Sequence, residues 1–389
     1  MNPKCLFLSR SQLSVAWNRS RFNHYSDNRK QKFHDNIGVV YDKLMEVDFE
    51  TPTLSEDDQR FYKKVLEFSK DSLSLLDNNT ISSVPHEFIE CLNVAAKEWI
   101  ADFDDYIIVM KDGPYAIMPH VDEIKTLYAL VRTRFGVDFQ NILLSVSMPR
   151  QLSRDYFTNV CLFHELGHFI DTKYKIFETV STELMNEWLN EKKTEIEKWF
   201  LSTQPPFFTS TSILGGTMVY KSPYTVSFIK EYFADIFAAQ YVGEKFLYYL
   251  EYISDAPKDD SYSHPSYEKR YQMYQDYTKG FGSNIVLDTI LGKTKDITKQ
   301  DISKRFVDMV PDDMYGFLPT NLKDEKEIYS IFNMGWDAYM AGSEPFEKAN
   351  GLITKMPPDR LYEAVNNLIE KSINNFLVLR DWNNAKMKS

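Results

Sequence analysis

Residues 164 to 168 read His-Glu-Leu-Gly-His, which sets two imidazoles four positions apart with a carboxylate directly after the first. On a helix such positions share one face, so both rings can converge on a single ion while Glu165 stands beside it. Two imidazoles suit zinc. A catalytic zinc needs a third protein ligand, an open fourth position, and a carboxylate to take the proton of a water molecule. Glu165 fits that last role. The flanking residues Ser153 to Thr172 have helical spacing, so the motif falls where its geometry requires.

A third ligand is expected from a second stripe that begins 63 residues after His168. Within an expected helix Tyr224 to Ile253, Glu231, Ala234, Asp235, Ala238 and Ala239 recur at i, i+3, i+4, i+7 and i+8. A core stripe would ordinarily use Leu, Ile or Phe, whereas small residues invite another helix to come close. Gly167 lies inside the His-Glu-Leu-Gly-His helix, where glycine costs up to about 1 kcal/mol relative to alanine unless a neighbour needs the space. The two helices are therefore expected to touch there. Such a contact lets Glu231 reach the metal and lets Asp235, one turn on, accept a hydrogen bond from the far nitrogen of His164 or His168. Asp171 is the rival ligand, but from the same helix it completes a tetrahedral site poorly. A metzincin would carry glycine at position 171 and histidine or aspartate at 174; Asp171 and Tyr174 stand there, which excludes that class.

The order of three motifs, HELGH, EYFAD (Glu231 to Asp235) and SHPSYEKR (Ser263 to Arg270), resembles the gluzincin metallopeptidases of the HtpX and CAAX-prenyl-protease type. The resemblance covers Ser153 to Arg270. It implies His164, His168 and Glu231 as zinc ligands, Glu165 as general base and Asp235 as an outer-shell carboxylate, in agreement with the spacing. It also implies roles near the substrate or the oxyanion for His264 and Arg270, with Pro265 able to start the helix that brings Arg270 back. Many members of that family are membrane-embedded or exported. This sequence has no apolar run near the roughly 18 to 20 residues of a membrane span and no signal-peptide core, so prenylated-protein processing is not carried over.

The elements that must position these residues are mostly helical. Helices are expected over Asp35 to Val47, Ser55 to Leu76 (with Ser55 and Asp58 in capping-box spacing), Pro85 to Ile100, Val121 to Phe135 and Glu178 to Leu201. Tyr106 to Met110 and Tyr115 to Met118 read as a β-hairpin, and Ile142 to Met148 as a strand whose alternation suits either one exposed edge for an extended peptide or packing in the core. Ser202 to Pro223, with Pro205, Pro206, Gly215 and Gly216, reads as a long loop, either a lid or binding segment or a disordered stretch. After Ser261 the chain reads as helical with breaks near Gly280 to Gly282, Pro311, Pro319 and Pro357 to Pro358, closing with an amphipathic helix Arg360 to Leu379. The fold class is mainly α with a small β-sheet: a zincin-like metallopeptidase core over residues 105–275, a basic arm (1–34) and helical region (35–104) before it, and a C-terminal helical region (276–389).

Composition bounds the function. Hydrophobic residues make up 43% and charged residues 26%, the usage of a folded chain, and the net charge of −11 argues against nucleic acid as the main partner. Seven of the basic residues lie between Met1 and His34 against Asp27 alone, an arm suited to an acidic partner. Cys5, Cys91 and Cys161 form no paired motif, which fits a reducing cytoplasm. His24, His34, His86 and His120 have no partner at ligand spacing. Tyr220, Tyr224 and Tyr262 are candidate oxyanion donors, and the aromatic stripe Phe246, Tyr248, Tyr249 and Tyr252 is expected to pack in the core. The reading is a metallopeptidase binding one zinc per chain and cleaving a peptide or protein substrate. The alternatives are a noncatalytic zinc sensor and a latent toxin or defence effector.

Overall fold

The computed structural model describes residues 3–25, 27–49, 54–77, 79, 85–119, 124–211, 217–253, 260–282 and 284–388. Along the chain come α1 (Pro3–Ser20), α2 (Asn28–Met45), α3 (Glu56–Asp77), α4 (His86–Trp99), β1 (Tyr106–Asp112), β2 (Ala116–Pro119), α5 (Ile124–Phe135) and β3 (Ile142–Met148). There follow α6 (Cys161–Tyr174), α7 (Ile176–Asn190), α8 (Lys193–Glu197), β4 (Phe207–Thr211), β5 (Thr217–Lys221), α9 (Pro223–Val242), α10 (Lys245–Ile253) and α11 (Tyr267–Lys279). The chain ends with α12 (Ile285–Thr298), α13 (Asp312–Tyr315), α14 (Glu325–Met340), α15 (Glu344–Asn350) and α16 (Pro358–Lys388). Two compact units result, one from residues 1–86 with 101–153 and one from residues 87–100 with 154–389. Residues 105–153 thus fall in the first unit and 154–275 in the second. No helix among the described residues is long and apolar enough to cross a membrane.

In the first unit, the stretch expected as a basic arm is folded. Leu6 and Leu13 of α1 and Phe33 and Ile37 of α2 are buried in a shared core with α3. Its cations are partly engaged at home: Arg10 donates to the Val47 carbonyl at 2.7 Å, and Arg29 pairs with Asp27. α3 starts as its sequence dictates, with Ser55 Oγ accepting the Asp58 amide at 3.1 Å and three acidic residues in the positive first turn.

The sheet of this unit corrects the expected hairpin. β3 lies in the centre, parallel to β1 (Val109 opposite Ser145) and antiparallel to β2 (Met118 opposite Ser145), so β1 and β2 do not pair with each other. Of the two placements open to β3, an exposed edge or the core, it takes the core: both its sides are paired and all seven residues, Ser145 and Ser147 included, are buried.

The second unit holds α6 packed along α9. Ser222 caps α9, accepting the Tyr224 amide at 3.3 Å, and Pro223 opens its first turn. The helix expected to run on to Ile253 breaks at Gly243, whose φ of +56° ends α9 before α10 begins. The helix expected from Ser153 starts only at Cys161, because Asp155 accepts the amides of Phe157 and Thr158 and holds a turn. The expected helix Glu178 to Leu201 is divided between α7 and α8. The long loop is also corrected: β4 and β5 pair antiparallel, Phe207 opposite Lys221, with residues 212–216 outside the described residues.

Candidate metal centre

α6 carries the His-Glu-Leu-Gly-His segment in mid-helix, with His164 buried and His168 half-buried on one face. Gly167 permits the approach of α9. A Cβ built on it would stand 2.9 Å from Ala234 Cα and 3.1 Å from Phe237 Cβ, closer than packed carbons come. The small-residue stripe and Gly167 thus meet, as the spacing requires. Across that contact Glu231 Oε2 lies 3.5 Å from His164 Nε2 and Oε1 lies 3.4 Å from His168 Nε2. One donor atom from each of the three residues falls within 4.8 Å of the others, a set able to hold a divalent metal. Two imidazoles and a carboxylate are the donors a zinc site takes.

Behind these donors the cluster is tied down. His164 Nδ1 lies 2.9 Å from Asp235 Oδ1, which leaves Nε2 to face Glu231. Asp235 in turn accepts two hydrogen bonds from Arg270, Nε at 2.7 Å and Nη2 at 2.5 Å, a bidentate fork that is almost fully buried. Arg270 Nη2 is also 3.5 Å from Glu231 Oε2. The guanidinium therefore faces carboxylates inside the fold. Phe246 of α10 stacks on the His164 ring at 5.7 Å and walls it on the other side.

The third motif folds through its own side chains. Ser261 Oγ accepts the His264 amide at 2.9 Å, Asp260 accepts the Ser266 amide at 2.9 Å, and Ser266 caps α11. This loop delivers His264, whose Nε2 lies 3.6 Å from Glu231 Oε1 while Ser263 engages Nδ1 at 2.8 Å. The His264 ring is half exposed, in contrast to Arg270.

The electrostatics follow from burial against pairing. Burial alone would push the His164 imidazolium down, but Asp235 and Glu231 outweigh it and push it up to about 9. The Glu231 carboxyl, although burial pushes it up, is held well below the usual carboxylate range by His164 and His168. Asp235 is likewise lowered, against its burial, by Arg270 and then His164. Two anionic carboxylates beside imidazoles favour positive charge at this point, and a divalent cation can replace the proton on His164. Glu165 differs: burial raises its carboxyl, and the two imidazoles only partly offset this.

Asp171 is not in the cluster. Fully buried, it accepts the Phe177 amide at 2.7 Å, while its own carbonyl accepts the Lys175 amide where the chain turns left-handed between α6 and α7. Of the tyrosines singled out in sequence, Tyr224 and Tyr262 pack ring against ring at 4.8 Å and Tyr220 sits half-exposed on β5. In the aromatic stripe Phe246 and Tyr249 are buried but Tyr252 is exposed. Phe246, Ser263, Ser261 and Asp260 were not legible as site residues, since each acts through a tertiary or loop contact that no period encodes. No family model, curated protein or solved structure matches the chain.

Proposed function

We propose that the protein is a zinc-dependent metallopeptidase. The observation that carries this reading is the convergence of His164, His168 and Glu231 on one point with Glu165 in the same turn of α6. The motif resemblance to gluzincins supports it. His164, His168 and Glu231 would hold the zinc, which when bound would supply Lewis acidity toward a carbonyl and a water molecule.

The chain's own residues do the rest. Glu165 takes the proton of the attacking water and returns it to the departing amine, a task helped by a carboxyl that burial has raised toward neutrality. A purely structural metal has no use for such a base, which separates this reading from a zinc sensor. Asp235 fixes the tautomer of His164 through Nδ1. Arg270 acts one layer further out, holding Asp235 in place, so it is a positioning residue. His264, held by Ser263 on a half-exposed loop, is the donor offered to the developing oxyanion. The substrate class is peptide or protein. A search for new peptide termini in a lysate treated with wild type or with Glu165→Gln tests this: cleavages confined to wild type support it, and identical termini contradict it.

A further inference from the structure

A cavity of about 610 Å³ lies in the second unit apart from the metal centre, bounded by the C-terminal ends of α9 and α11, by α14 and by residues 302–308. No residue of the candidate metal centre lines it, and its size suits a small molecule. Four aromatic side chains, Tyr274, Tyr277, Phe281 and Phe306, contribute to its walls. A Cβ on Gly243 would stand 2.7 Å from Phe306 Cζ, so the Phe306 ring is packed against the helix end.

The charges of the lining are already closed on themselves. Lys245 pairs with Asp337 at 2.8 Å and Glu244 at 2.9 Å, and Lys304 pairs with Asp308 at 2.7 Å. Both lysines of the described lining thus have an acidic partner. What is left is Asn333, whose amide oxygen and nitrogen are both buried with no hydrogen-bond partner among the described residues. Buried amide atoms without partners destabilise the fold. Because this amide holds no bond where it stands, turning it toward the cavity breaks none.

We propose that this cavity is a second binding site, for an uncharged aromatic heterocycle that presents a hydrogen-bond donor beside an acceptor, the edge of a nucleobase. Turned toward the cavity, the Asn333 amide would offer the complementary acceptor and donor side by side, as asparagine does toward adenine. The aromatic walls supply stacking surface. The site does not depend on the reaction at the metal centre.

Isothermal titration of the full-length, zinc-loaded protein with adenosine, cytidine, uridine and inosine at millimolar concentration tests it. At least one nucleoside is expected to bind. Asn333→Leu, which removes the unpaired amide at similar volume, should weaken that binding roughly ten-fold or more. Thr278→Trp, at an exposed position on the rim, should block it without entering the core. The proposal is overturned if no nucleoside binds wild type, or if both folded variants bind as wild type does. Should Asn333→Leu fail to fold, Thr278→Trp alone decides.

Discussion

Gly167 and Ala234 touch backbone to backbone: a single added methyl on Gly167 would sit 2.9 Å from Ala234 Cα. Everything at the candidate metal centre depends on that approach, because α6 carries both imidazoles and α9 both carboxylates.

Gly167→Ala should therefore cost stability and metal together. Forcing a methyl into a packed contact costs roughly 1–3 kcal/mol, and parting the helices moves Glu231 away from His164 and His168. Melting temperature and zinc content of this variant check the point. An unchanged zinc content alongside an unchanged melting temperature would mean that the helices have room to spare.

Asp235 and Arg270 should behave as one unit. Asp235→Asn is expected to weaken zinc binding roughly 10- to 100-fold without abolishing it, as for other carboxylates behind a ligating histidine. Arg270→Lys should lower zinc affinity and thermal stability while leaving KM for a peptide unchanged, since one ammonium cannot reproduce the fork on Asp235. Combined in one chain, the two substitutions should cost less than the sum of their separate effects. A raised KM in Arg270→Lys with full zinc content would instead place the guanidinium against substrate.

Asp171 should reveal itself through pH and not through metal. Burial pushes its carboxyl up from 3.8 to about 6. Between those values the folded chain holds a proton that the unfolded chain has lost, so stability falls as pH rises through that window. Asp171→Asn keeps an acceptor for the Phe177 amide and removes the titration. Urea unfolding of metal-free protein across this range should show the variant gaining on wild type as pH rises, and zinc-loaded variant should retain its metal. Parallel pH profiles would contradict this.

The residues of the candidate metal cluster were legible in sequence because they obey a local period. His164 and His168, and Glu231 with Asp235, lie four apart on helices, and the glycine and alanines that let the helices meet are themselves small residues in a stripe. Pairings that join distant segments were not legible. Nothing in Tyr106 to Met118 says that β1 and β2 take β3 between them, since a hairpin satisfies the same alternation. The Pro and Gly residues around 202–223 hid β4 and β5, although Pro205 and Pro206 directly precede β4. Gly243 was visible, but apolar spacing continued across it and masked the end of α9. The position of Arg270 behind Asp235 could not be read at all, because a guanidinium six residues after His264 reaches either substrate or carboxylate with equal ease.

Glu165 is proposed to act at a metal site that it does not itself build. Peptide turnover by wild type and Glu165→Gln, compared at equal zinc content of one per chain, separates the two roles. Glu165→Gln is expected to keep its zinc, while His164→Ala, His168→Ala and Glu231→Ala lose theirs, and its turnover is expected to fall by roughly 10²- to 10⁴-fold. Full turnover in zinc-loaded Glu165→Gln would rule Glu165 out as the general base.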